Sequence, residues 1–334
     1  MTIDRRTLIG SAIGIGMAGM TSAAASAQDW PPAVPADRSP NRPAWPPRET
    51  FRIWPGRAPG SPETLPVDGS TMEGPADGRQ LWVRGVAHPT LSVYRPEKPD
   101  GRAVLCMPGG GYKFLSVQNE GIHVAAAFNP HGITVFVLTY RLPGEGWANR
   151  ADVPLQDAQR AMRVIRSRAA QWNIDPAKLG CIGFSAGGHL AASLTVGFDD
   201  KVYSPVDDAD TQSARPAYSG LIYPVIDLSI GPNGDSTKSL VGPDATPEQY
   251  ARYEASKRVT GDTPPMFIVQ ALDDPIVNPQ NAINMMEAAR AHTVPVEAHF
   301  FEHGGHGFGI KGLSEDMPAA HWPLFFRLWS AKHS

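Results

Sequence analysis

Beyond residue 80, short apolar runs alternate with longer stretches whose apolar residues recur at helical spacing. Leu81-Trp82-Val83 and residues 90–94 predict a pair of strands. Ala103-Val104-Leu105-Cys106-Met107 has no polar interruption and predicts a strand covered on both faces. A helix is predicted over 119–128, stopped by Asn129-Pro130-His131-Gly132, and residues 133–138 predict a further buried strand. Pro154 opens an amphipathic helix. Leu155, Ala158, Met162, Ile165, Ala169 and Trp172 share one face, and Arg160, Arg163, Arg166 and Arg168 avoid it. Asp175-Pro176 turns the chain into the apolar run 179–182. Strands follow at 220–226, 266–271 and 296–301. Asn278 as N-cap and Pro279 as first residue open a helix over 279–292, and a last helix is expected over 318–331.

Apolar strands separated by helices specify an α/β fold with a mostly parallel central sheet and helices on both faces. The domain is expected to span 80–334. Its rhythm breaks at 228–262, polar and Pro-rich with one short helix over about 247–257, where a small cap insertion fits. Residues 28–79 form a Pro-rich arm without periodicity. Trp30, Trp45 and Trp54 argue that this arm is irregular and packed on the main domain after residue 48.

Residues 1–27 read as a twin-arginine-type bacterial export signal. Arg5-Arg6 precedes an apolar stretch broken by glycines, and Ala25-Ser26-Ala27 is a small-x-small cleavage site. The stretch is short for a membrane span. A periplasmic or secreted chain is therefore expected, with no membrane contact after signal cleavage. The net charge of −3 over 334 residues, without charge blocks, argues against nucleic acid as a partner. Oligomeric state stays open. Cys106 and Cys181 each fall in a predicted strand, and adjacent parallel strands rarely offer disulfide geometry, so two buried free thiols are expected.

The chemistry is concentrated at Gly183-Phe184-Ser185-Ala186-Gly187, which follows the apolar run 179–182 and precedes a small-residue helix. Strand, tight turn and helix are the context in which G-x-S-x-G exposes a serine nucleophile. The glycines permit the close packing and strained backbone of such a turn. Serine needs a base to take its proton and an acid to orient that base. On this architecture the expected chain order is serine, acid, histidine. Asp273 and Asp274 follow the strand 266–271, and both are candidates for the acid. His303 and His306 follow the strand 296–301, and the glycines around His306 let its loop bend back over Ser185, making it the expected base. No cysteine or acidic companion stands at metal spacing near these histidines, so no metal is expected. Gly109-Gly110-Gly111 follows the strand 103–107. The amides of Gly110 or Gly111, with that of Ala186, are the expected oxyanion hole.

Several further segments complete a pattern: Pro108-Gly109-Gly110-Gly111-Tyr112 with Leu115-Ser116 and Glu120-Gly121, Tyr140-Arg141-Leu142-Pro143, Gln156-Asp157-Ala158, Gly187-Gly188-His189, Tyr223-Pro224-Val225 and Gly304-Gly305-His306-Gly307-Phe308. Over roughly 80–330 the chain resembles bacterial α/β-hydrolase-fold esterases of the acetyl-xylan-esterase type, and it is similar to the hormone-sensitive-lipase and prolyl-oligopeptidase groups. Pro108 stands where the lipase group has a histidine. The resemblance implies an α/β-hydrolase fold and, from Asp274-Pro275-Ile276-Val277, that Asp274 is the acid. Other residues of the pattern have plain structural readings: Arg141 and Asp157 as a buried ion pair, Glu120 as a brace for the glycine loop and His189 as a packed residue, with Tyr112 a candidate for lining the acyl pocket.

The expected activity is ester hydrolysis by Ser185, His306 and Asp274 on a small-molecule or oligosaccharide ester, acetylated plant polysaccharide above all, without metal or organic cofactor. Alternatives are an exported carbohydrate-binding protein that kept the fold without catalysis, a feruloyl esterase, or a peptidase. The 28–79 arm is far too short for the propeller that such peptidases carry.

Overall fold

The computed structural model describes residues 43–74 and 78–334. The expected export signal and the first part of the arm lie outside the described residues. The strands are β1 (Thr50–Arg52), β2 (Gly69–Glu73), β3 (Gln80–Arg84), β4 (Thr90–Tyr94), β5 (Ala103–Met107), β6 (Thr134–Thr139), β7 (Leu179–Phe184), β8 (Ser219–Ile222), β9 (Met266–Ala271) and β10 (Val296–Phe301). The helices are α1 (His123–Phe128), α2 (Val153–Ser167), α3 (Ser185–Val196), α4 (Ser236–Val241), α5 (Pro247–Ala251), α6 (Gln280–Ala291) and α7 (Trp322–Ser330). Eight strands form one sheet in the order β1-β4-β6-β5-β7-β8-β9-β10. From β6 to β10 neighbours are parallel, while β4 is antiparallel to β1 and β6.

The apolar strands are buried on both faces for the reason their composition gives. β5, β6, β7, β8 and β9 are buried at every position, and β10, at the edge, is half-exposed throughout. One face packs Leu105, Met107 and Cys181 against residues of α2, α3 and α6. The other packs Val104, Cys106 and Ile182 against α1 and α7, where Phe128, Trp322, Phe326 and Trp329 form a run of ring contacts. Cys106 and Cys181 are both buried and free, as expected. The register pairs Leu105 with Cys181, so Cys106 faces the opposite side of the sheet.

Some expectations are corrected. The strand at 81–83 does not pair with that at 90–94. β3 pairs with β2 in a separate two-stranded ribbon, and β4 enters the main sheet between β1 and β6. The separation is made at Gly85, whose φ of 63° breaks the extended path; the Glu145 carboxylate accepts the Gly85 and Val86 amides there. Arg160 on α2 avoids the apolar face, as expected, yet it does not face solvent. It is buried, donates to the Ile53 carbonyl and pairs with Asp207 and Asp210, because the arm and the Asp208–Thr211 turn cover that side of the helix. The helix foreseen at 119–128 begins as a wide turn over Gln118–Ile122 before α1. The 228–262 insertion holds α4, a shorter α5 and the turn Ala255–Arg258. Asn278 does accept the Gln280 amide at the start of α6.

Candidate active site

The nucleophile position is built by a strand that becomes a helix without a linking residue: β7 ends at Phe184 and α3 begins at Ser185. Ser185 has φ of 52°, the strained left-handed region that non-glycine residues rarely occupy. Glycine is required on both sides. A β-carbon at Gly183 would stand 2.1 Å from the Gly187 carbonyl oxygen, and one at Gly187 would stand 2.2 Å from that of Met107. Serine is therefore lifted above the strand ends, with its amide neighbours in the first turn of α3, where N–H groups lack helical acceptors.

The loops after β9 and β10 converge on this serine. His306 Nε2 lies 2.9 Å from Ser185 Oγ, and its Nδ1 lies 2.7 Å from Asp274 Oδ2. The Asp274 side chain is fully buried and that of His306 is 11% exposed. Asp274 Oδ1 accepts the Ile276 and Val277 amides, each at 2.9 Å, and Oδ2 also accepts from Gln270 Nε2 at 3.2 Å. These donors fix the carboxylate and leave Oδ2 facing the imidazole. The carboxylate therefore selects the tautomer with Nδ1 protonated and Nε2 free to take the serine proton.

Asp273 is turned the other way. It accepts the Gly304 and Gly305 amides at 3.0 and 2.8 Å and meets His303 Nδ1 at 3.2 Å. The Gly305 amide above all, with His303 and the Gly304 amide, holds its carboxyl below the usual range. His303 does not reach Ser185; it is 67% exposed.

The glycine loop covers the serine from the β5 side. A β-carbon on Gly109 would come within 2.6 Å of the Phe184 carbonyl oxygen and 2.9 Å of Ser185 Cβ. Gly110 and Gly111 have φ of 134° and 62°. Among the described residues their amides have no acceptor, and a β-carbon at Gly111 would meet nothing within 4 Å. Free amides and the open space at Gly111 are what an oxyanion needs. The Phe114 ring packs at Gly110 and stacks on Trp82 with centroids 3.8 Å apart.

Glu120 is buried beneath this loop. Its Oε2 accepts the Gly109 amide at 2.7 Å, the brace expected of it, and its Oε1 accepts the Tyr223 hydroxyl at 2.7 Å. Burial pushes its carboxyl above the usual range, against the pull of Tyr223, the Gly109 amide and His306. Sequence reasoning gave Tyr223 no role. Its hydroxyl accepts the Gly309 amide at 2.9 Å, and its ring lies edge-on to His306 with centroids 5.0 Å apart. Its place just past the end of β8 was the available signal, since sites on such sheets gather at strand C-termini.

Tyr112, expected in the acyl pocket, has its ring buried and its hydroxyl directed to His189 Nδ1 at 2.8 Å, so the phenol is not free for a substrate. Burial pushes His189 down to about 4. The neutral ring donates from Nε2 to the Tyr253 carbonyl at 2.8 Å and accepts from Tyr112. Arg141 and Asp157 form the expected ion pair at 2.9 Å, fully buried, and Trp54 of the arm donates to the same carboxylate at 2.7 Å. Among the described residues no cluster of three or more His, Cys, Asp or Glu could hold a metal.

Comparison with known proteins follows the same lines. The BD-FAE family matches residues 91–288, more than half of the chain. The endo-1,4-beta-xylanase B of Butyrivibrio fibrisolvens is 36% identical over 207 residues, 62% of this chain and 32% of that protein. The acetylxylan esterase of Xylanibacter ruminicola is 33% identical over 235 residues, 66% of this chain and 44% of that one. The chain thus spans less than half the length of these two relatives. The crystal structure of an acetyl ester-xyloside bifunctional hydrolase from Caldicellulosiruptor lactoaceticus superposes with a TM-score of 0.66 at 34% identity, covering 73% of this chain and 88% of that one. On sequence and architecture together, the chain belongs to the BD-FAE family and has an α/β-hydrolase fold.

Proposed function

We propose that this chain is a serine carboxylic ester hydrolase of the acetyl-xylan-esterase type, acting on acetylated plant polysaccharide or its oligosaccharides. One observation carries the chemistry: a single imidazole spans 2.9 Å to a strained serine hydroxyl and 2.7 Å to a buried, amide-anchored carboxylate. His306 takes the Ser185 proton as Oγ bonds to the ester carbonyl carbon. The amides of Gly110 or Gly111 and of Ala186 hold the resulting oxyanion, and Asp274 stabilises the imidazolium. The proton then passes to the departing alkoxide, leaving an acyl-serine and a free alcohol. Water, deprotonated by His306, adds to the acyl carbon, and Ser185 leaves with the proton returned. Each step uses only the chain's own groups and water.

The acetylated-sugar assignment is supported by relatives described as an acetylxylan esterase, a xylanase and an acetyl ester-xyloside hydrolase. The twin arginine and Ala25-Ser26-Ala27 support export to the periplasm or beyond, where polymer fragments are met.

A panel of acetyl, butyryl and feruloyl chromogenic esters, with acetylated xylan and pectin, tests the reading. Wild type should prefer acetyl, and Ser185→Ala should lose at least about a thousandfold in turnover. Better turnover of feruloyl or butyryl than acetyl esters would remove the acetyl-xylan assignment and keep the esterase. No turnover of any ester, with xylan still bound, would leave the non-catalytic binding protein.

A further inference from the structure

Two of the buried carboxylates, Asp157 and Glu120, differ in one respect. Asp157 has Arg141 against it. Glu120 is in no ion pair among the described residues, and each of its oxygens takes one neutral donor. A buried carboxylate without a counter-charge is costly unless its hydrogen bonds are well made. Those two donors come from opposite sides of Ser185. The Gly109 amide belongs to the loop whose next two amides are the expected oxyanion donors. The Tyr223 hydroxyl holds Gly309, three residues past His306, while its ring rests on the His306 ring. Asn119, next to Glu120, adds a second tie, donating to the Gly307 carbonyl at 2.8 Å. A β-carbon at Gly309 would fall 2.5 Å from the Asn119 amide, so the histidine loop is seated directly on this turn.

We infer that Glu120 is a positioning residue that, through Gly109 and Tyr223, holds the oxyanion amides and the general base in register with each other across Ser185. This rests on the ester-hydrolase reading and adds a residue that contacts no substrate. A carboxylate suits the task because both its oxygens accept, so it can hold two donors at once, whereas a carboxamide offers one acceptor. With Glu120→Gln, one tie survives and the other loses its acceptor.

The register matters more to the transition state than to substrate binding, because the oxyanion and the imidazolium exist only there. Glu120→Gln should therefore lower kcat about tenfold to a hundredfold, below the ~10²–10³ expected for deleting a donor outright, with KM within about twofold. Tyr223→Phe keeps the ring on His306 and removes only the hydroxyl; it should lower kcat on the order of tenfold. Because both variants break one connected set of ties, and a glutamine relieved of Tyr223 can still serve Gly109, the double variant should lose less than the product of the two single losses. The experiment is steady-state kinetics of the three variants on a small chromogenic acetyl ester, at a temperature where circular dichroism shows them folded. Unchanged kcat in folded Glu120→Gln, losses that multiply in the double variant, or a loss carried by KM would each overturn the inference. If Glu120→Gln does not fold, Tyr223→Phe decides alone: a kcat fall of about fivefold or more at constant KM supports it, and unchanged kcat overturns it. Wild type inactive on every ester is a different result, the failure of the underlying functional reading.

Discussion

The loops after β9 and β10 exchange two aspartate–histidine pairs, and only one of them reaches a serine. Asp273 and Asp274 are neighbours in sequence, and His303 and His306 are three residues apart. Residue types alone make the pairs equivalent. Asp274 is buried and His306 nearly so, 2.7 Å apart, with the carboxylate anchored by two backbone amides and Gln270. Asp273 and His303 are 40% and 67% exposed and 3.2 Å apart, and the carboxylate's firmest bonds go to the Gly304 and Gly305 amides. Water screens the outer pair and leaves its side chains free to move. The inner pair is held in a dry place with one tautomer. The outer pair shapes the loop that carries His306, and the inner pair is arranged for proton transfer.

Substitutions should separate the pairs by orders of magnitude. His306→Ala is expected to lower turnover of a chromogenic acetyl ester by roughly 10⁴–10⁶, the range seen when a triad base is removed. Asp274→Asn, which keeps the shape and loses the charge that fixes the tautomer, should cost about 10⁴. Asp273→Asn should change turnover by less than about tenfold and act on the loop instead, lowering Tm by on the order of a degree. That last effect has a pH signature. The folded-state carboxyl of Asp273 lies below its unfolded value. Its contribution is therefore full above the ordinary carboxylate pKa and is lost as pH falls through the depressed value. The Tm gap between wild type and Asp273→Asn should be present at pH 7 and close as pH falls below the ordinary carboxylate range. His303→Ala should leave turnover within about threefold. A His303→Ala defect comparable to that of His306→Ala would erase the distinction.

The sequence makes the inner triad legible because each member stands at a strand C-terminus and because glycines mark the two places where backbone must approach backbone. Which aspartate serves could be read only from the Asp-Pro-x-Val tail. The reason is visible in the structure: residues 276 and 277 donate the amides that hold Asp274. The main sheet is equally legible, since β5 to β9 are apolar at nearly every position. The β2–β3 ribbon is not. β3 carries the same alternation as an edge strand of the main sheet, and what moves it elsewhere is the Glu145 carboxylate capping the turn at Gly85, sixty residues away in sequence. The burial of Arg160 is hidden for a related reason. A period along α2 shows which face meets the sheet, and says nothing of an arm and a distant turn that cover the opposite side. Tyr223 was hidden because a tyrosine after a strand reads as core. Its role comes from a hydroxyl that meets residues 103 positions before it and 86 after.

The placement of the two thiols has a consequence for handling the protein. Cys106 and Cys181 sit on adjacent strands, and the sheet itself stands between their sulfurs. Burial raises both, Cys181 to about 12, so neither offers a thiolate to an oxidant. The native state should carry no redox term: incubated folded with oxidised glutathione, the protein should keep both thiols free and gain no mass, whichever side of a membrane the chain inhabits.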